Sequence, residues 1–82
     1  MNTSNEKAAT SYELYLRDLG YQVRELAIES KQVAAKTNSD FSIGYMAGFH
    51  RIVSLMQQQA KVFDIPLADI ALDGIDPDSE LV

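Results

Sequence analysis

The 82-residue chain has no cysteine, no tryptophan, a single histidine (His50) and only two prolines. Without thiols there is no disulfide staple and no thiolate metal site. One imidazole cannot build a histidine zinc site without carboxylates or a second subunit. A Cys–His or Ser–His relay has almost no material, so the residues point away from an enzyme and from any cofactor. Basic charge is scarce too: seven Lys and Arg stand against twelve Asp and Glu, a net of -5. That sign is wrong for neutralising phosphates and argues against nucleic acid as a partner. Long hydrophobic runs are missing as well. The most apolar stretch, residues 43–49, falls far short of the roughly 20 needed to cross a bilayer. The polar opening Met1-Asn2-Thr3-Ser4 lacks the basic start and apolar core of a secretory signal. The expectation is a soluble, cytoplasmic protein with no membrane partner.

The charge that is present is unevenly placed. Over residues 1–38, Lys7, Arg17, Arg24, Lys31 and Lys36 balance Glu6, Glu13, Asp18, Glu25 and Glu29. Over residues 64–82, Asp64, Asp69, Asp73, Asp76, Asp78 and Glu80 have no basic residue among them. All the excess negative charge therefore lies in the last segment.

A heptad beat dominates the first half: Ala9, Tyr12, Leu16, Leu19, Val23, Leu26, Ser30 and Val33 follow one another in steps of three and four. That spacing writes a long helix with a coiled-coil seam. Thr10 to Glu13 has capping-box spacing, so residues 10–36 are predicted to be helix 1, about 40 Å long, behind a frayed segment 1–9. Thr37-Asn38-Ser39-Asp40 is a turn, with Ser39 or Asp40 capping helix 2 over residues 40–64. Helix 2 carries two apolar tracks, one through Met46, Phe49, Val53, Met56, Ala60 and Phe63, the other through Phe41, Tyr45, Ile52, Leu55 and Val62. Pro66 ends it by driving Ile65 out of helical geometry. Residues 66–73 form a short third helix that Gly74 could terminate, and residues 74–82 a loosely held acidic tail.

A short link makes the two long helices antiparallel neighbours whose facing residue numbers sum to about 78. That places Ala34 beside Gly44 and Ser30 beside Gly48, so the Gly44–Gly48 pair reads as close helix packing within the hairpin. It also sets Leu26 near Ile52, and Leu19 near Gln59, an amide suited to fixing register or oligomer state. Helix 1 has a second stripe, Leu14, Tyr21, Ile28 and Ala35, away from the seam. A helix apolar on two sides needs two partners. Leu14, Tyr21 and Ile28 are therefore the expected oligomer or partner interface, together with whichever helix 2 track is left uncovered.

Other motifs give weaker signals. Residues 69–80 partly imitate a calcium-binding loop, with Asp69 first, Asp73 fifth, Gly74 sixth and Glu80 twelfth, but Ala71 at the third position has no ligand oxygen. A solvated acidic segment is the simpler reading, and no metal site is expected. His50 and Arg51 lie on the polar edge of helix 2, one turn from Ser54, with no local carboxylate to hold the imidazole. The four tyrosines lack interleaved basic residues and so make no base-stacking platform.

The sequence thus predicts one all-α domain over residues 1–82: an antiparallel helical hairpin with a short third helix, dimerising into a four-helix bundle. The expected function is a non-enzymatic protein–protein interaction module, a regulator, adaptor or small inhibitor whose partners are itself and a further protein. The alternative is a small-molecule binder, holding its ligand between helices of the oligomer through Tyr45, His50 and Arg51. A third reading makes the acidic segment a nucleic-acid mimic.

Overall fold

Hydroxyl chemistry sets the ends of the two long helices. In the computed structural model, which describes residues 10–82, helix α1 (Ser11–Thr37) begins on a reciprocal cap at Thr10. The Glu13 backbone N–H donates to Thr10 Oγ1 at 3.1 Å, and the Thr10 N–H donates back to Glu13 Oε1 at 2.8 Å. The Thr10 backbone N–H, and then its hydroxyl, hold the Glu13 carboxyl below its ordinary range. The cap therefore operates above that range and is lost as acid protonates Glu13 through its lowered pKa. The segment expected to fray, residues 1–9, and Ala9 of the seam lie outside the described residues.

Asn38 stops α1 by turning left-handed (φ 49°) while its N–H donates to the Ala34 carbonyl at 2.9 Å. Ser39 then caps helix α2 (Asp40–Val62): its hydroxyl accepts from the Ser42 N–H, and the Ser42 hydroxyl accepts from the Ser39 N–H, both at 3.1 Å. Thr37 also donates to Ser42 Oγ at 2.9 Å, so three hydroxyls lock the corner. Ser39→Ala removes the cap and is expected to cost about 1 kcal/mol, measured as a lowered urea midpoint with an unchanged slope. Helix α2 ends two residues earlier than the sequence suggested. Asp64 adopts a left-handed conformation (φ 61°), and the Ile65 N–H closes the helix end on the Ala60 carbonyl at 2.7 Å.

Small residues take most of the buried positions on the two helices. On α1 the buried positions are Gly20, Ala27, Ser30 and Ala34; on α2 they are Ser42, Met46, Val53 and Ala60. This corrects the seam read from the sequence in part: Ser30 is buried and Val23 packs on the core, but the larger seam residues do not. Leu19, Leu26 and Val33 each precede a buried residue by one position, a rotation of about 100°, and all three are exposed. The small side chains of α1 are turned inward, and the bulkier ones are turned aside. The Gly44–Gly48 reading is also overturned. A Cβ built on either glycine meets nothing within 4 Å, so neither is in close helix packing, although Ala34 is buried.

The expected helix over 66–73 is instead a four-residue 3-10 turn, Leu67–Ile70, ended by Ala71 (φ 57°) rather than by Gly74. A continuous helix would point Ile70 and Leu72 about 200° apart. Breaking it at Ala71 lets both reach the core, where they are 6% and 0% exposed. Nor is the acidic segment loosely held. Asp76 caps a single-turn helix, α3 (Pro77–Glu80), accepting from the Asp78 N–H at 3.1 Å, while Glu80 accepts from the Asp76 N–H at 2.6 Å. That turn sets Pro77 and Leu81 on one face, and both are buried.

Residues 63–82 thus form a strap along one side of the hairpin. Burying Ile70, Leu72, Ile75 and Leu81 contributes an upper bound of roughly 6–12 kcal/mol, at about 1.5–3 kcal/mol per side chain. That is comparable with the whole stability of a small domain. The strap is core, and its six carboxylates face outward.

Candidate interaction surface

Three directions on each helix organise the surface. Polar clasps mark the strap side: Arg24 Nη1 donates to the Asp73 carbonyl at 3.2 Å, and the Lys31 ammonium donates to the Val82 carbonyl. From α2, Gln57 Nε2 donates to the Leu72 and Ile75 carbonyls at 3.0 and 2.9 Å, and His50 Nε2 meets Asp78 Oδ1 at 3.0 Å. At 100° per residue, Leu19, Leu26 and Val33 lie roughly 160° around α1 from Arg24 and Lys31; Tyr45, Ile52 and Gln59 lie a similar angle around α2 from His50 and Gln57. The strap covers one flank of the hairpin and leaves the opposite flank bare except at its far end, where Ile65 and Ile70 of the strap join Leu16 and Gln59.

That bare flank is mostly apolar, with the exposed Glu29, one heptad beyond Gln22, on its α1 border. On α1 it comprises Tyr12, Tyr15, Leu19, Gln22, Leu26 and Val33, and on α2 Phe41, Tyr45, Gly48, Ile52, Leu55 and Gln59. Every large hydrophobic residue in these two lanes is exposed, from Leu19 at 38% to Tyr12 at 82%. Two parallel lanes about 35 Å long and about 20 Å wide give roughly 700 Å² per chain. A patch that large on a small domain marks an interaction site. Phe41 stacks on Tyr45 (centroids 6.1 Å apart), and Tyr45 meets half-buried Phe49 edge-on at 5.2 Å. These contacts fix the protruding end of the face to the core.

The α2 track expected to be left uncovered is this face. The α1 stripe chosen from the sequence falls elsewhere: Leu14 and Tyr21 are half-exposed, while Ile28 is partly buried and packed on the core. The docked strap lies on that side of α1. Tyr45, His50 and Arg51 do not converge. His50 and Arg51 line a cleft of about 670 Å³ between α2 and α3 with Ser54, Lys61, Asp76 and Asp78; Leu55, at the edge of the bare flank, borders it too, and Tyr45 does not.

His50 does acquire a carboxylate, Asp78, from 28 residues away, a pairing invisible to local spacing. Among the described residues no hydrogen bond joins Ser54 to His50, and the His50–Asp78 contact pins α3 to α2. The calcium-loop positions are likewise absorbed into structure. The Asp73 carbonyl takes Arg24 and the Glu80 carboxylate caps α3, and no group of three or more metal-ligating side chains gathers among the described residues. Sequence reading missed Gly20 and Gln57. Gly20 carried a signal, since a glycine inside a strong helix costs about 1 kcal/mol and asks for a reason. Gln57, inside a glutamine triplet, carried none. No helix of the described residues is long and apolar enough to cross a membrane. No family model, curated protein or solved structure matches the chain.

Proposed function

We propose that the chain works as a homodimeric, non-enzymatic interaction module, in which the bare flanks of two copies close into a four-helix bundle. The observation that carries this reading is the exposed apolar face of Leu19, Leu26 and Val33 with Phe41, Tyr45, Ile52 and Leu55. A surface this poor in charge offers little steering or pairing to a charged partner, and its best complement is another apolar surface of the same length. Two copies meeting there would bury roughly 1,400 Å² in total, within the range of stable specific interfaces. The strap remains outermost in each copy and carries Asp64, Asp69, Asp73, Asp76, Asp78 and Glu80. A further protein partner would meet this acidic border, and a basic surface is what suits it.

Folding and association are then linked. The melting midpoint should rise as protein concentration is raised from micromolar to hundreds of micromolar, with a single transition throughout. A midpoint independent of concentration across that range would remove the dimer reading.

The cleft beside α3 supports a second reading, a small-molecule site. Arg51 and Lys61 both line it, and neither has a carboxylate within salt-bridge distance among the described residues. Thermal stabilisation by a member of a metabolite panel, lost in Arg51→Ala, would favour that reading.

A further inference from the structure

The bare flank differs at its two ends. At the loop end Phe41 projects, 81% exposed and backed by Tyr45. At the far end the face sinks into a trough of about 170 Å³, lined by Leu16, Met56, Gln59, Phe63, Ile65 and Ile70. Engineered apolar cavities of roughly 150 Å³ accept a benzene ring, so the hollow has the volume and the lining for one phenyl side chain. Midway between bulge and hollow lies Gly48, whose missing side chain leaves open space.

We infer that two copies associate in antiparallel fashion, each inserting Phe41 into the trough of the other, with Gly48 at the crossing point. The inference rests on the dimer reading above and specifies its geometry. Phe41 and Gln59 are 18 residues apart on α2, about 27 Å. A twofold axis perpendicular to α2 near residue 50 superimposes the bulge of one copy on the hollow of the other. Facing residues on the two α2 helices then sum to about 100: Phe41 over the partner's Gln59, Tyr45 over the partner's Leu55, Gly48 over the partner's Ile52. The glycine makes room for the partner's isoleucine, so the backbones approach at the axis. A parallel pairing sets bulge against bulge and hollow against hollow, holding the helices apart at one end and leaving a void at the other. In the antiparallel arrangement the contact is isologous, and one kind of chain supplies both halves.

The chain's lack of cysteine makes the test clean, because a disulfide forms only when the Cα atoms lie within about 7 Å. Tyr45→Cys and Leu55→Cys are made separately in the full chain, shown by light scattering to be dimeric when reduced, then oxidised alone and as a mixture. The antiparallel register gives a mixed disulfide between Y45C and L55C chains and little self-linking, since like positions lie about 15 Å apart. Efficient self-linking by Y45C alone would show a parallel dimer and overturn the inference. So would a reduced dimer whose mixture fails to link, while the dimer reading stands. A monomeric parent chain would sink the dimer reading itself. Phe41→Cys with Gln59→Cys repeats the test should the first pair dissociate. Phe41→Ala, an exposed position in the single chain, should weaken dimerisation at least tenfold with the helical spectrum unchanged; unaltered dimerisation would empty the trough of its occupant.

Discussion

Gly20→Ala should unseat the strap and destabilise the fold by about 3 kcal/mol or more, lowering the melting midpoint by roughly 12–24 °C at about 4–8 °C per kcal/mol. The reason is a single approach. A Cβ on Gly20 would lie 1.7 Å from the Ile70 carbonyl oxygen and 2.8 Å from its carbon. The obstacle is backbone, so no side-chain rotation relieves it. Ile70 would have to lift away from α1, and the burial of Leu72 beside it would be lost in part. Helix propensity alone gives the opposite sign, about 1 kcal/mol of stabilisation for Gly to Ala inside a helix. Gly44→Ala shows that ordinary behaviour, because its Cβ enters open space, and should raise stability of the fold by up to about 1 kcal/mol. Thermal melts of the two variants, with hydrogen exchange over residues 67–82, check both signs together. A stabilised Gly20→Ala would mean that the strap does not rest on α1.

Ile52→Asp should convert the dimer to monomer at micromolar concentration. Ile52 is 44% exposed in the single chain, so a carboxylate there can still reach water and the hairpin should fold. In the bundle the same carboxylate faces the partner close to the twofold axis, desolvated and without a cation, and symmetry places two such groups in one interface. A penalty of at least about 3 kcal/mol is expected, a loss of roughly a hundredfold in dimerisation constant. Tyr21→Asp is the matched control. Its side chain is similarly exposed but belongs to the stripe beside the strap, so dimerisation should be unaffected. Sedimentation equilibrium on the two variants distinguishes the bare flank from the stripe that heptad spacing alone had favoured. Dissociation by Tyr21→Asp with a stable Ile52→Asp dimer would reverse that assignment.

Cap chemistry was the most legible layer of the fold. A hydroxyl followed three residues later by a carboxylate marked Thr10, and the Thr37–Asp40 cluster marked the corner, because caps depend only on neighbours in sequence. The excess of apolar surface on the two long helices was legible for the same reason: it is a matter of periodicity. Which side of α1 faces α2 was harder to read. Heptad spacing ranks positions by hydrophobicity and so selected Leu19, Leu26 and Val33, while the chain buries Gly20, Ala27 and Ala34. The small residues took the buried positions, Gly20 against the Ile70 backbone among them, and a one-residue offset carried the larger ones to the surface.

The strap was misread because its carboxylates drew attention from its spacing. Ile70, Leu72, Ile75 and Leu81 follow no single period, and a 3-10 turn, a left-handed Ala71 and one turn of helix are needed to aim all four inward. Its clasps, Arg24 to Asp73, Gln57 to Leu72 and Ile75, and His50 to Asp78, span 15 to 49 residues. Pairings at such separations leave no trace in local spacing. The bare flank could be located only once the strap had been, since each helix offered two candidate sides and the strap occupies one of them.

Light scattering coupled to size exclusion on the unmodified chain at micromolar concentration tests the bare flank most directly. A mass of twice 9.1 kDa, falling to a single chain in Ile52→Asp, is the expected result; a mass of 9.1 kDa for the unmodified chain at every concentration up to a millimolar would contradict it.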